Sequence, residues 1–139
     1  MPNRLEVVRA ARRLIGVPFR HQGRTVEGID CVGLLIHVAR SLDIAHGWPE
    51  MPYAKFPPAD YVRGVLDRYL NELSYPPEAG DIALIRWRRT ANHLAIVGDG
   101  DKPYTLIHAY YVMGRVVEHR ADPDWQDRIV ALYSFRGVE

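Results

Sequence analysis

The sequence predicts an α+β fold in which N-terminal helices pack on an antiparallel sheet of about five strands. Three observations carry that expectation. Apolar residues recur at helical spacing as far as Leu73; beyond Gly80-Asp81 they gather in short runs divided by turn residues; and the two patterns follow one another instead of alternating, which argues against a parallel βαβ sheet. A chain of 139 residues, 47% of them hydrophobic, is long enough for one core and too short for two ordinary ones. No internal repeat, low-complexity tract or linker divides it, so residues 1–139 are expected to form a single domain.

The first helix is expected over Arg4 to Ile15, where Leu5, Val8, Ala11 and Ile15 share a face and Asn3 with Glu6 resembles a capping box. Gly16 ends it, and after Pro18 the polar stretch Arg20 to Glu27 reads as a loop that borders anything built on residue 31. A second helix is expected from Cys31 to about Leu42, burying Leu34, Leu35, Val38, Ala39 and Leu42. Between Asp43 and Pro58 the density of Pro and Gly, with Trp48, Tyr53 and Phe56 interspersed, points to an irregular segment packed on the body as one wall of a cleft. A third helix is expected from Ala59 to Leu73, its inner face formed by Val62, Val65, Leu66, Tyr69, Leu70 and Leu73, with Pro76-Pro77 barring any continuation. Strands are expected over Ile82 to Trp87, His93 to Val97, Tyr104 to Val112, Val116 to His119 and Ile129 to Phe135.

Charge excludes some functions. The net charge is +1, from eighteen basic and seventeen acidic residues without a like-charge block, which leaves no footprint for nucleic acid or membrane lipid. One cysteine forms no internal disulfide, and neither a signal-peptide h-region nor a bilayer-spanning run is present. The chain is expected to be made in the cytoplasm without a signal peptide, and a protein carried out by a larger particle needs no export signal of its own.

The chemistry centres on Gly28-Ile29-Asp30-Cys31-Val32-Gly33. Asp30 is placed to cap the helix that starts at Cys31, and the positive end of that helix is expected to favour an ionised sulfur. A lone cysteine is more often a buried small hydrophobe, so the histidines matter. If the loop Gly98 to Pro103 closes symmetrically, Val97 faces Tyr104, Leu94 faces Ile107 and His93 faces His108, and two imidazoles stand side by side. Cys31, His93 and His108 then supply a thiol, a base and a group that orients the base, with the backbone N–H of Cys31 as first donor to an oxyanion. Such a pair predicts activity that rises as thiolate and imidazolium form and falls as the imidazolium is lost. No cofactor is implied, and the spacing of these residues lacks the close pairs of common zinc sites, so no metal is expected. His37, His46 and His119 have no partner visible in sequence and are expected to be solvated or on helix surfaces. Trp87, between Arg86 and Arg88-Arg89, is expected at a solvated strand end or on the rim of the cleft.

In this order the segments resemble the NlpC-type cysteine peptidases of bacterial cell walls. The resemblance rests on Gly16-Val17-Pro18-Phe19-Arg20 at the end of the first helix, Asp30-Cys31-Val32-Gly33-Leu34, Glu78 to Leu84, His93 to Val97 and Ile107-His108-Ala109. It covers most of the chain and implies a compact papain-like fold, with Cys31 as nucleophile, His93 as base and His108 as third polar residue. The implied reaction is hydrolysis of an amide in peptidoglycan stem peptides, typically between D-glutamate and diaminopimelate. A form without signal peptide or binding module is similar to the version found in tail proteins of phages and gene transfer agents. That version implies tail-tip or hub proteins as partners and a place in the tail of a phage-like particle, acting on the wall. One departure concerns the oxyanion: the family usually has a tyrosine where this chain has Phe19, and Arg20, His21 or Gln22 are the candidates to replace its hydroxyl. Two other readings fit the same residues, a tail-tip or assembly subunit that keeps the fold without catalysis, and thiol chemistry that passes an acyl group to an acceptor other than water.

Overall fold

The computed structural model describes residues 1–45, 48, 57–74 and 76–139. Its first helix, α1 (Arg4–Arg12), opens as the capping box predicts: Asn3 is extended, and its side-chain oxygen accepts from the backbone N–H of Glu6 at 2.9 Å. The helix stops a turn earlier than its apolar spacing suggests. Leu14 and Ile15 donate to carbonyls three residues back, and Gly16 adopts φ +91° and donates to the carbonyl of Val116. A small hairpin, β1 (Arg24–Thr25) and β2 (Gly28–Ile29), starts within the stretch Arg20 to Glu27 expected to be loop, runs just past it, and leads directly into α2 (Cys31–Ser41).

The third helix, α3 (Ala59–Tyr69), corrects the sequence reading at its end. Leu70 turns to φ −122°, ψ 167°, and residues Leu70–Leu73 form strand β3, paired antiparallel with the C-terminal strand β8 (Ile129–Phe135). The helical spacing of Leu70 and Leu73 continues in sequence, but a further helical turn would pair only its own backbone and leave one edge of β8 open, whereas strand β3 pairs both segments. Between these elements lie β4 (Ile82–Trp87), β5 (Thr90–Gly98), β6 (Thr105–Tyr110), β7 (Arg115–Arg120) and a short helix, α4 (Pro123–Arg128). Six strands pair antiparallel in the order β3-β8-β4-β5-β6-β7, so the last strand is inserted between the first two of this sheet. The α+β expectation holds, with one more strand in the main sheet than expected and a separate two-stranded one.

Alternation along the central strands puts apolar side chains on both faces. Ile82, Leu84, Leu94, Ile96, Ile107 and Ala109 meet the buried sides of α1, α2 and α3; Ala83, Ile85, Ala95, Val97, Leu106 and Leu132 form a smaller cluster on the opposite face. Trp125 of α4 packs against that second cluster. The expectation for the irregular segment falls mostly outside the described residues, as do Tyr53, Phe56 and His46. Trp48, which is described, packs against Tyr69 and Phe135 with ring centroids 5.8 and 6.2 Å away. Among the described residues no helix is long and apolar enough to cross a membrane.

The hairpin between β5 and β6 closes two residues away from the symmetric register. Gly98 faces Thr105, Val97 faces Leu106 and Ile96 faces Ile107, and there the ladder ends. A shift of two leaves every side chain on its expected face, because the period of a strand is two. His93 and His108 therefore still share a face, as diagonal neighbours instead of direct partners.

Candidate active site

Asp30 holds the start of α2. Its carboxylate is buried; Oδ1 accepts from the backbone N–H of Gly33 at 2.8 Å, and Oδ2 from that of Gln22 at 2.7 Å. The guanidinium of Arg24 lies 3.4 Å from Oδ1. One side chain thus joins the helix start to the preceding loop, and this explains an aspartate in front of Cys31. The join also needs small residues. A Cβ on Gly33 would lie 1.9 Å from the carbonyl oxygen of Gly23, and one on Gly23 would lie 2.2 Å from that of Gly28, so hairpin and helix meet backbone to backbone.

Cys31 is half-buried in the first turn of α2 and lines a cavity together with His93, Phe19, Asp30, Val32, Pro57, Trp87, Asn92, Tyr110 and Tyr111. Burial, and then the negative charge of Asp30, push its thiol up to about 12, outweighing the backbone N–H groups of Leu94, Val32 and Cys31 itself, which favour the thiolate. Burial likewise lowers His93 to about 4, with the positive charge that His119 carries when protonated acting in the same direction. This corrects the expected ionised sulfur. Desolvation outweighs the helix start, and the resting pair is a neutral thiol and a neutral imidazole.

Nε2 of His93 lies 2.6 Å from Nδ1 of His108. His108 is fully buried, and burial keeps it well below the ordinary histidine value. Its other nitrogen, Nε2, lies 2.8 Å from Nε2 of His119, and Nδ1 of His119 lies 2.8 Å from the backbone carbonyl of Arg120. The register explains the chain: His119 stands opposite Leu106, and His108 opposite Val117, so the two rings are diagonal neighbours across β6 and β7. The expectation of a solvated His119 is therefore wrong. Aromatic rings enclose the series, with Trp125 centred 5.2 Å from His108 and 4.8 Å from His119, and Tyr110 4.9 Å from His108.

The structure brings Cys31, His93, Asp30 and Phe19 to one cavity and backs His93 with His108. It does not bring Arg20, His21 or Gln22 there. All three are exposed, and Gln22, at φ 60°, contributes its backbone N–H to Asp30. Phe19 meets the ring of Tyr111 edge-on at 5.5 Å, and the hydroxyl-bearing side chains along the described cavity wall are Tyr110 and Tyr111. Trp87 is half-buried on that wall, stacked 6.2 Å from Trp125.

Sequence reasoning missed Asn92, whose side-chain amide donates to the carbonyl of Pro57 at 3.0 Å and ties β5 to the segment entering α3. It missed α4 as well, although Asp122 followed by Pro123 is a helix-start signal; Asp122 accepts from the backbone N–H of Trp125 at 3.1 Å. Among the described residues no group of three His, Cys, Asp or Glu side chains is arranged to hold a metal ion.

No family model matches the sequence, and no curated protein matches it. Solved structures do. The NlpC/P60 domain of the peptidoglycan hydrolase SagA superposes with a TM-score of 0.68 at 19% identity, over 96% of this chain and 99% of that one. An NlpC/P60 family protein from Bacillus cereus gives 0.69 at 17% identity over 96% of this chain. A protein from Staphylococcus aureus described as similar to lipoprotein, NLP/P60 family, gives 0.64 at 18% over 95%. The chain spans 40% and 41% of the length of those last two. The architecture is that of the papain-like NlpC/P60 domains.

Proposed function

We propose that this chain is a cysteine peptidase that cleaves an amide in the stem peptides of peptidoglycan. The observation that carries the reading is the shared cavity of Cys31 and His93, with His93 braced by His108 at 2.6 Å. The NlpC/P60 architecture and the peptidoglycan hydrolase SagA among its structural neighbours support the substrate class.

In this mechanism Nδ1 of His93, the nitrogen not engaged with His108, takes the proton of the Cys31 thiol as sulfur attacks the carbonyl carbon. The thiolate–imidazolium pair is formed in the attacking step, since the resting groups are both neutral. The tetrahedral oxyanion meets the backbone N–H of Cys31, and a hydroxyl from Tyr110 or Tyr111 takes the place that Phe19 cannot fill. The imidazolium returns its proton to the leaving amine, the C–N bond breaks, and water then hydrolyses the thioester to free acid and thiol.

The bond between D-glutamate and diaminopimelate is the proposed target, and the tail of a phage-like particle the proposed setting, both on the strength of the sequence resemblance. Incubation with diaminopimelate-type peptidoglycan under reducing conditions, beside Cys31→Ala, tests the activity by mass spectrometry of released fragments. Fragments ending in D-glutamate are expected from the wild type alone. Equal release by both proteins, or none by either, overturns the reading. Detection of the chain in purified particles tests the setting.

A further inference from the structure

We infer that His119 is a positioning residue: through His108 it sets which nitrogen of His93 carries hydrogen. A backbone carbonyl only accepts hydrogen bonds, so Nδ1 of His119, 2.8 Å from the carbonyl of Arg120, carries a hydrogen. In the neutral ring Nε2 of His119 is then a lone pair, and Nε2 of His108, 2.8 Å away, must donate to it. That leaves Nδ1 of His108 as an acceptor, and Nε2 of His93, 2.6 Å away, must donate to it. The remaining nitrogen of His93, Nδ1, is left without hydrogen. It is the nitrogen available to accept a proton.

The direction of the whole series is therefore set by one carbonyl on β7, and each ring passes it to the next. Two features protect it. His108 is fully buried, so no bulk water competes for its nitrogens, and burial keeps both His108 and His93 neutral at ordinary pH. Trp125 covers the rings of His108 and His119 from α4. His108 alone does not suffice, because a neutral imidazole with one fixed neighbour adopts either tautomer; what removes the choice is an acceptor on its far side.

The inference rests on the peptidase reading only for its effect on turnover, and the test separates the two. Nitrogen-15 NMR of the His93 ring reports its tautomer in the intact resting protein without any substrate. The wild type is expected to show hydrogen on Nε2 and none on Nδ1. His119→Gln keeps an acceptor in reach of His108 and is expected to retain that state. His119→Lys has only donors, so it is expected to reverse the series and place the hydrogen on Nδ1 of His93; His119→Leu, which has neither, is expected to give a mixture. Fragment release from peptidoglycan should then fall by about 10²–10⁴-fold in kcat for His119→Lys, the range a misassigned base costs, while His119→Gln recovers most of it. A folded His119→Lys or His119→Leu protein that keeps the wild-type His93 tautomer overturns the inference. If the tautomers shift as expected but the wild type releases no fragments, the peptidase reading fails and the positioning role stands.

Discussion

Acid should weaken this fold through His93 before it reaches the carboxylates. His93 lies at about 4 in the folded protein, below the ordinary 6.5, because burial disfavours its cation. The unfolded chain therefore takes up a proton at about 6.5 that the native state refuses until about 4. The contribution of the neutral ring is fully present above 6.5 and is lost progressively as pH falls between those values. The interval of about 2.5 pH units corresponds to about 3 kcal/mol at 1.36 kcal/mol per unit, a large part of the ~5–15 kcal/mol that holds a domain folded. His108 is shifted in the same direction for the same reason. Glu118 and Asp99, held low by hydrogen bonds from Arg12, lose their contributions only at the acid end of the range. Urea unfolding followed by tryptophan fluorescence, at several pH values from about 7.5 down to about 4, should show wild-type stability falling more steeply than that of His93→Gln, by up to about 1.4 kcal/mol per pH unit. Parallel slopes in the two proteins would refute the assignment of a neutral, desolvated His93.

Three further outcomes are expected. Gly33→Ala puts a methyl group 1.9 Å from the carbonyl oxygen of Gly23, so hairpin and helix must separate, and a loss of about 1–3 kcal/mol should appear as a lower melting temperature; an unchanged melting temperature would mean the loop yields freely. The rate of Cys31 alkylation by iodoacetamide should keep rising with pH above 9, as expected of a thiol near 12, and a plateau between about pH 6 and 8 would reveal a resting thiolate instead. Removing the hydroxyl from the cavity wall in a Tyr110→Phe, Tyr111→Phe double variant should lower kcat for fragment release by about 10²–10³-fold with KM little changed, whereas wild-type turnover would assign the second oxyanion donor elsewhere.

Local chemistry was readable from the chain alone where it depended on neighbours in sequence. Asn3 capping Glu6, Asp30 capping Gly33 and the limits of Ile82–Trp87 and Ile129–Phe135 follow from spacing and side-chain type, because each is settled within a few residues. The face shared by His93 and His108 survived a register error of two residues, since strand alternation repeats every two. Competition between distant partners was not readable. Leu70–Leu73 has helical spacing and becomes a strand because β8 presents an open edge, and the thiol of Cys31 is neutral because its burial, which spacing does not measure, outweighs the helix start. His119 had no visible partner because the link to His108 exists only once β6 and β7 are in register. The sequence by itself determined that three helices precede the main run of strands, that the cysteine follows a helix cap, and that two histidines share one face. Tertiary structure alone decided the hydrogen-bond direction and protonation of that pair, because both depend on what lies across the sheet and on how much water is kept out.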